Sequence, residues 1–417
     1  MSGNRVVITG IGAISGLGIN VEKTWSGLVA GRHGIDTIKA FDNVIEDTNL
    51  ERAKVSLGVE VKNFEYEDKR EARRLDPFAQ FGLSATKEAL EKSGLLPGEN
   101  IDAERVFAYV GSGIGGIKTI EKEILNGRNN GLKRISPLLV PMMIGNILPG
   151  MIAIKYGIKG STIDIVTACA CGTHSIGEAF RAIRHGYADA VICGGAESAF
   201  ATFSFAGFVN MKAMNETTDK DRASIPFDKE RAGFIMGEGS GILILENLEQ
   251  ARSRGANILA EMAGYGSSSD AFHITQPAPG GEGAAAAMRM AIKDAGISPA
   301  DISYINAHGT STPMNDLCET QAVKKAFGED AYNIPISSTK SMTGHMLGAA
   351  GGVEAVICVK ALMEGLIPPT AGYRVADEEC DLDYVTEGCR KADVRFAMSN
   401  SFGFGGHNGS IILKRYE

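Results

Sequence analysis

Short runs of branched apolar residues alternate with longer stretches whose apolar positions recur every three to four residues, and this alternation spans the whole chain. Its clearest instance is Thr162-Ile-Asp-Ile-Val-Thr-Ala-Cys169-Ala-Cys-Gly-Thr-His-Ser-Ile-Gly-Glu-Ala-Phe180. The first half reads as a strand with Ile163 and Ile165 on one face. The second half reads as a helix, because Ile176, Ala179, Phe180 and Ile183 take the i, i+3, i+4, i+7 places of an apolar stripe. Upstream, Val6–Thr9 is a strand leading into a glycine-rich turn, and Val106–Val110 is a strand leading into Gly111-Ser-Gly-Ile-Gly-Gly116. Downstream come a buried strand from Ala190, a polar loop holding Ser224–Arg231, a hairpin over 233–246 and a short helix over 247–255.

The second half of the chain echoes the first. Ile302–Asn306 ends in Ala307-His308-Gly, where the earlier strand ends in Gly-Ser-Gly. Ile334–Ser338 leads through Thr339-Lys340-Ser-Met-Thr-Gly-His345 into a helix over 346–364 that is apolar nearly all round, which such a pattern buries. Ser401–Leu413 parallels the hairpin at 233–246. Strand–helix alternation twice over predicts an α/β fold of two similar halves, residues 1–255 and 256–417, packed on their central helices. The link between them is expected near 255–265.

The chemistry of the pattern lies at the strand ends. Cys169 falls on a strand-to-helix turn, where unpaired N–H groups and the helix dipole favour an anion, so a lowered pKa and a nucleophilic thiolate are expected. His308 and His345 occupy comparable turns of the other half, at the edge of an α/β sheet where ligands bind. Metal binding is not expected, since Cys169 and Cys171 lack zinc spacing and no histidine pair adjoins them. The Gly111–Gly116 stretch matches G-x-G-x-x-G, but no following strand carries the acidic partner of a dinucleotide site, so no nucleotide cofactor is expected. Arg70, Arg73 and Arg74 are spaced to share a helical face, a local basic patch suited to steering an acidic partner.

Bulk composition narrows the class further. At 417 residues with a 44% hydrophobic share, the chain suits a globular protein of more than one core. A net charge of −8 argues against nucleic acid as a partner. Seven cysteines, an odd number mostly set in apolar runs, read as a reduced set rather than a disulfide framework. Neither a signal peptide nor a membrane-length apolar run is evident, so a cytoplasmic location is expected.

Thr167-Ala-Cys169, Asn306-Ala-His308-Gly-Thr-Ser-Thr312, Lys340-Ser-Met-Thr-Gly-His345 and Gly403-Phe404-Gly-Gly406 together resemble the motif set of the β-ketoacyl-acyl-carrier-protein synthases. The likeness runs over essentially the whole chain and is greatest to the type that elongates bacterial fatty acids. It implies a thiolase-like fold, two α/β halves in a layered α-β-α-β-α core. It further implies that acyl-Cys169 condenses with malonyl-carrier protein in a decarboxylative reaction, without cofactor or metal. By the same resemblance His308 and His345 stabilise an enolate, and the N–H groups of Cys169 and Phe404 form an oxyanion hole. Phe404 is a gate between half-reactions, and Lys340, paired with Glu354, tunes the site. Thr310 and Thr312 meet the pantetheine arm, Arg70, Arg73, Arg74 and Lys212 meet acyl carrier protein, and the enzyme is a homodimer. Cys171 and His407 depart from the usual family letters. A polyketide-type ketosynthase with the same three residues remains the alternative reading, and a nucleotide-binding oxidoreductase resting on Gly111–Gly116 is the other.

Overall fold

A computed structural model describes residues 3–40 and 55–417. Ten strands make one hydrogen-bonded sheet. The first half supplies β1 (Val6–Ile14), β2 (Val106–Gly111), β3 (Thr162–Ile163), β4 (Ala190–Glu197) and β5 (Gly239–Asn247). The second supplies β6 (Ala260–Ser269), β7 (Tyr304–Asn306), β8 (Ile336–Ser337), β9 (Phe396–Gly403) and β10 (His407–Lys414). Across the sheet the order is β8-β7-β9-β10-β6-β1-β5-β4-β2-β3. Read inward from each edge, the two halves have the same strand order, and they meet where β1 runs antiparallel to β6 from Val6↔Met262 to Ile8↔Ala260.

Helices fill the layers. α1 (Pro77–Ser93) covers the outer face of the first half, and α3 (Glu282–Ala295) covers that of the second. Between the two half-sheets lie α2 (Cys171–Arg184) and α5 (Ala350–Glu364), each touching strands of both halves. α4 (Pro313–Phe327) follows the His308 turn and packs on α3. The thiolase-like layering expected from the sequence is thus present. α5 is buried at every position from Ala350 to Leu362, and each of its branched apolar side chains removed from water contributes about 1.5–3 kcal/mol. That explains its lack of a polar face.

Four local expectations need correction. β1 does not stop at Thr9: it runs through Gly10 and Gly12 to Ile14. Those glycines form no turn, because a Cβ on either would strike the carbonyl of Ala89 or Ala85 in α1. Gly264 and Gly266 of β6 meet Ala291 and Ala287 of α3 in the same way. Second, residues 233–246 are no hairpin: β5 pairs with β1 and β4, while Phe234–Gly237 is pinned by isolated bridges to Met214, His345 and Val59. The true hairpin is β9–β10, with Gly403 opposite His407. Third, the strand before Cys169 has only two residues, Thr162 and Ile163, both exposed at the sheet edge. Fourth, β6 begins at Ala260, inside the stretch expected as a link.

Candidate active site

Cys169 sits in a 3-10 turn, Ala168–Ala170, between β3 and α2. Ala168 takes left-handed backbone, φ 53°, and the Cys171 thiol caps the turn, donating to Ala168 O at 2.8 Å and accepting Thr167 N–H at 3.1 Å. The second half copies the device: Leu347, φ 47°, opens a 3-10 turn ahead of α5. Cys171 is therefore a structural part of the elbow, and burial pushes its thiol pKa up.

His345 is delivered by the pinned segment. Its N–H donates to Ile235 O at 2.7 Å, its carbonyl accepts Gly237 N–H at 2.9 Å, and its Nε2 lies 3.0 Å from Cys169 Sγ. His308 lies two residues past the end of β7, and the Glu319 carboxylate of α4 accepts the His308 and Gly309 N–H groups at 2.8 and 2.7 Å. The two imidazoles stand edge to face with centroids 5.4 Å apart, His345 backed by Phe234 and His308 by Phe402. Neither Nδ1 has a hydrogen-bond partner among the described residues. The three side chains expected to meet do meet.

They line one cleft of about 580 Å³ together with Thr310, Thr312, Lys212 and Phe404. The Thr310 and Thr312 hydroxyls are 2.9 Å apart. Phe404 is half-buried, within a loop whose Gly405 and Gly406 have positive φ. Lys340 lies outside the cleft lining, buried and paired with Glu354. His407 also lies outside the lining, its ring against Gly405. Arg70, Arg73 and Arg74 are exposed and make no ion pair with any described residue. They do not share a helical face as expected: the helix there is only Lys69–Ala72, capped by Asp68, and ends before Arg73.

Electrostatics overturn one expectation. Burial pushes the Cys169 thiol up to about 12, with the Glu197 carboxylate adding to the rise. The Lys340 charge and the N–H groups of Phe404 and Cys169 oppose it without prevailing. The helix-start position lowers the pKa less than full desolvation raises it, so the resting group is a thiol. Burial, then the Lys340 charge, holds His345 well below the usual imidazole range; His308 is lowered likewise, with His345 adding to the effect. Both rings are neutral.

Three buried carboxylates invisible to sequence reasoning lie behind the cleft lining. Glu319 holds the His308 turn. Asp316 binds the N–H groups of Phe227 and Ser311. Glu197 accepts Ser112 Oγ and the N–H groups of Gly113 and Ile114 from one half, and Gly348 N–H from the other. Three donors of the Gly111–Gly116 loop, the Ser112 hydroxyl and the N–H groups of Gly113 and Ile114, are thus taken by one carboxylate, the place a phosphate takes in a nucleotide site. Burial lifts Glu197 and Glu319 to about 7. Among the described residues, no group of three or more His, Cys, Asp or Glu is arranged to hold a metal ion.

Comparison with known proteins finds relatives along the whole chain. The model of the Beta-ketoacyl synthase, N-terminal domain, matches residues 3–251, and that of the Beta-ketoacyl synthase, C-terminal domain, matches residues 259–374. A 3-oxoacyl-[acyl-carrier-protein] synthase 2 of Synechocystis sp. is 48% identical over 417 residues, covering 99% of this chain and 98% of the relative. A protein of the same name from Staphylococcus aureus (strain COL) is 47% identical over 416 residues, covering 99% of each. Among solved structures, the ishigamide ketosynthase/chain length factor superposes with a TM-score of 0.91 at 35% identity, covering 100% of both chains. A type II PKS acyl-carrier protein in complex with its ketosynthase, AntDE:AntF, matches at TM-score 0.91 and 32% identity, again over 100% of both chains.

Proposed function

This chain belongs to the β-ketoacyl synthase family, and from that premise we propose that it condenses acyl and malonyl groups, both delivered on acyl carrier protein, in fatty-acid elongation. It is an acyltransferase whose nucleophile is Cys169. The observation that carries the reading is the 3.0 Å approach of His345 Nε2 to Cys169 Sγ, with His308 against the same ring.

In the first half-reaction, Cys169 Sγ attacks the acyl thioester while its proton passes to His345 Nε2 and on to the departing carrier sulfur. The N–H groups of Cys169 and Phe404, already turned toward the sulfur, hold the oxyanion. In the second, malonyl-carrier protein loses carbon dioxide, and ring N–H groups of His308 and His345 stabilise the enolate oxygen. The enolate carbon attacks acyl-Cys169, giving a 3-oxoacyl-carrier product two carbons longer and releasing the sulfur, which takes up a proton. Since nothing pairs with His345 Nδ1 among the described residues, its single proton is free to sit on either nitrogen. Nε2 therefore accepts in one half-reaction and donates in the other. Lys340, paired with Glu354, favours neutral rings; Phe404 gates the passage between half-reactions on its glycine hinges.

The remaining assignments follow the same reading. Thr310 and Thr312 receive the pantetheine arm at the cleft wall, and Arg70, Arg73, Arg74 and Lys212 receive the acidic carrier. Residues 1–255 and 256–417 are its two halves, a division the repeated strand order supports. The open edge of β3, with Ile163 and Val166 exposed, supports a homodimer. No described helix is long and apolar enough to cross a membrane, and we place the enzyme in the cytoplasm.

The test is acylation followed by intact mass. Incubation with acyl-carrier protein should add one acyl mass to the wild type and none to Cys169→Ala; a full adduct on the variant overturns the assignment. Offered a ladder of acyl-carrier substrates with malonyl-carrier protein, the enzyme should release products one extension longer. Repeated extension to a poly-3-oxo chain would favour the polyketide alternative.

A further inference from the structure

The polar loop holding Ser224–Arg231, unused by the chemistry above, packs against the Thr310–Thr312 segment. At their contact Ser311 (φ 69°) and Phe227 (φ 66°) take left-handed backbone, which side chains with a Cβ disfavour. One carboxylate serves both. Asp316, fully buried in the first turn of α4, accepts Phe227 N–H on Oδ2 at 2.8 Å and Ser311 N–H on Oδ1 at 3.2 Å. Ser311 is held on two further sides: its Oγ accepts Ile225 N–H at 2.9 Å, and its carbonyl accepts Gly233 N–H at 3.0 Å. Arg231 stands behind, its Nε 3.9 Å from Asp316 Oδ2 and a terminal nitrogen donating to Pro313 O at 3.2 Å. Thr310 and Thr312 flank Ser311, so its backbone angle decides where their hydroxyls point.

We propose that Asp316 is a positioning residue for the carrier's phosphopantetheine arm. It holds Ser311 and Phe227 left-handed and so presents Thr310 and Thr312 as a fixed hydroxyl pair to the arm's amides. The inference rests on the proposed role of those threonines; Asp316 itself touches neither substrate nor reacting atoms.

Asp316→Asn keeps the shape but turns an amide donor toward a backbone donor. Losing one charge-assisted bond in the clamp should raise KM for acyl-carrier protein about tenfold while kcat stays within about twofold. Acylation of Cys169 by a short alkyl thioester without the arm should keep its wild-type rate. Adding Ser311→Gly should bring KM back to within about threefold of wild type, because glycine adopts left-handed backbone unaided. Equal losses on both substrates, or a folded double variant whose KM stays high, overturn the proposal. Should the single variant fail to fold, the double variant is read alone by the same KM criterion. Thr310→Val with Thr312→Val separates this inference from its premise. If that pair leaves KM unchanged, the threonine subsite is refuted; if it raises KM while Asp316→Asn does not, only the Asp316 role falls.

Discussion

Cys169 shows how burial and dipole compete at a single side chain. A turn before a helix draws a thiol toward its anion, but full desolvation wins here, and the thiol is pushed up to about 12. In the proposed reaction His345, neutral and 3.0 Å away, takes up the thiol proton only as the sulfur attacks. Alkylation of Cys169 by iodoacetamide should therefore climb roughly tenfold per pH unit from 7 to 10, following the thiolate fraction. A plateau reached below pH 7 would mean a resting thiolate–imidazolium pair, and the proton relay through Nε2 would be withdrawn. At this scale Cys169, His308 and His345 were legible, since each lies among small or hydroxyl residues on a strand-end turn. Glu319, Asp316 and Glu197 were not, because what they bind are backbone N–H groups, which leave no mark in a sequence. Cys171 was legible as a departure but not as a cap, since its partners are also main-chain atoms.

Elements whose burial is written in their own periodicity were read most reliably, and those whose partners are remote in sequence least so. The nearly all-apolar helix over 346–364 proved to be the buried α5, although its first turn is 3-10 and starts with left-handed Leu347. Gly10 and Gly12 were misread because a glycine in a turn and a glycine under a helix look alike in one dimension. The contact of β1 with α1 gives the two readings opposite consequences. Gly12→Ala should lower stability by about 1–3 kcal/mol or more through overpacking, seen as a lower urea midpoint. Gly207→Ala, exposed in the helix Thr202–Asn210 with nothing within reach of a Cβ, should raise it by about 0.5–1 kcal/mol. An unchanged midpoint for Gly12→Ala would show that β1 and α1 separate at little cost. The segment 233–238 belongs to the same lesson: its alternation suits a strand, yet it pairs with three distant stretches and so positions His345 instead of forming a hairpin.

For the whole molecule, the two halves matter because neither holds a complete site. Cys169 comes from the first, both histidines from the second, and Glu197 accepts N–H groups from each. The surface has its own economy: a chain of net charge −8 still leaves Arg73 and Arg74 exposed and without ion pairs to described residues. Reversing both to Glu should raise KM for carrier-bound substrate about tenfold or more at low salt, with the effect fading toward 1 M salt. A short thioester should be unaffected, and equal losses on both substrates would remove these arginines from the docking surface. The sequence alone determined the duplicated α/β plan, the burial of its central helices and which three side chains, Cys169, His308 and His345, come to line one cleft. Periodicity and turn chemistry are local and are written in neighbouring letters. Tertiary structure alone decided that the thiol rests protonated, that the glycine-rich loop grips a carboxylate, and that buried acids hold the reactive turns. Desolvation and main-chain hydrogen bonding depend on what folding brings from afar.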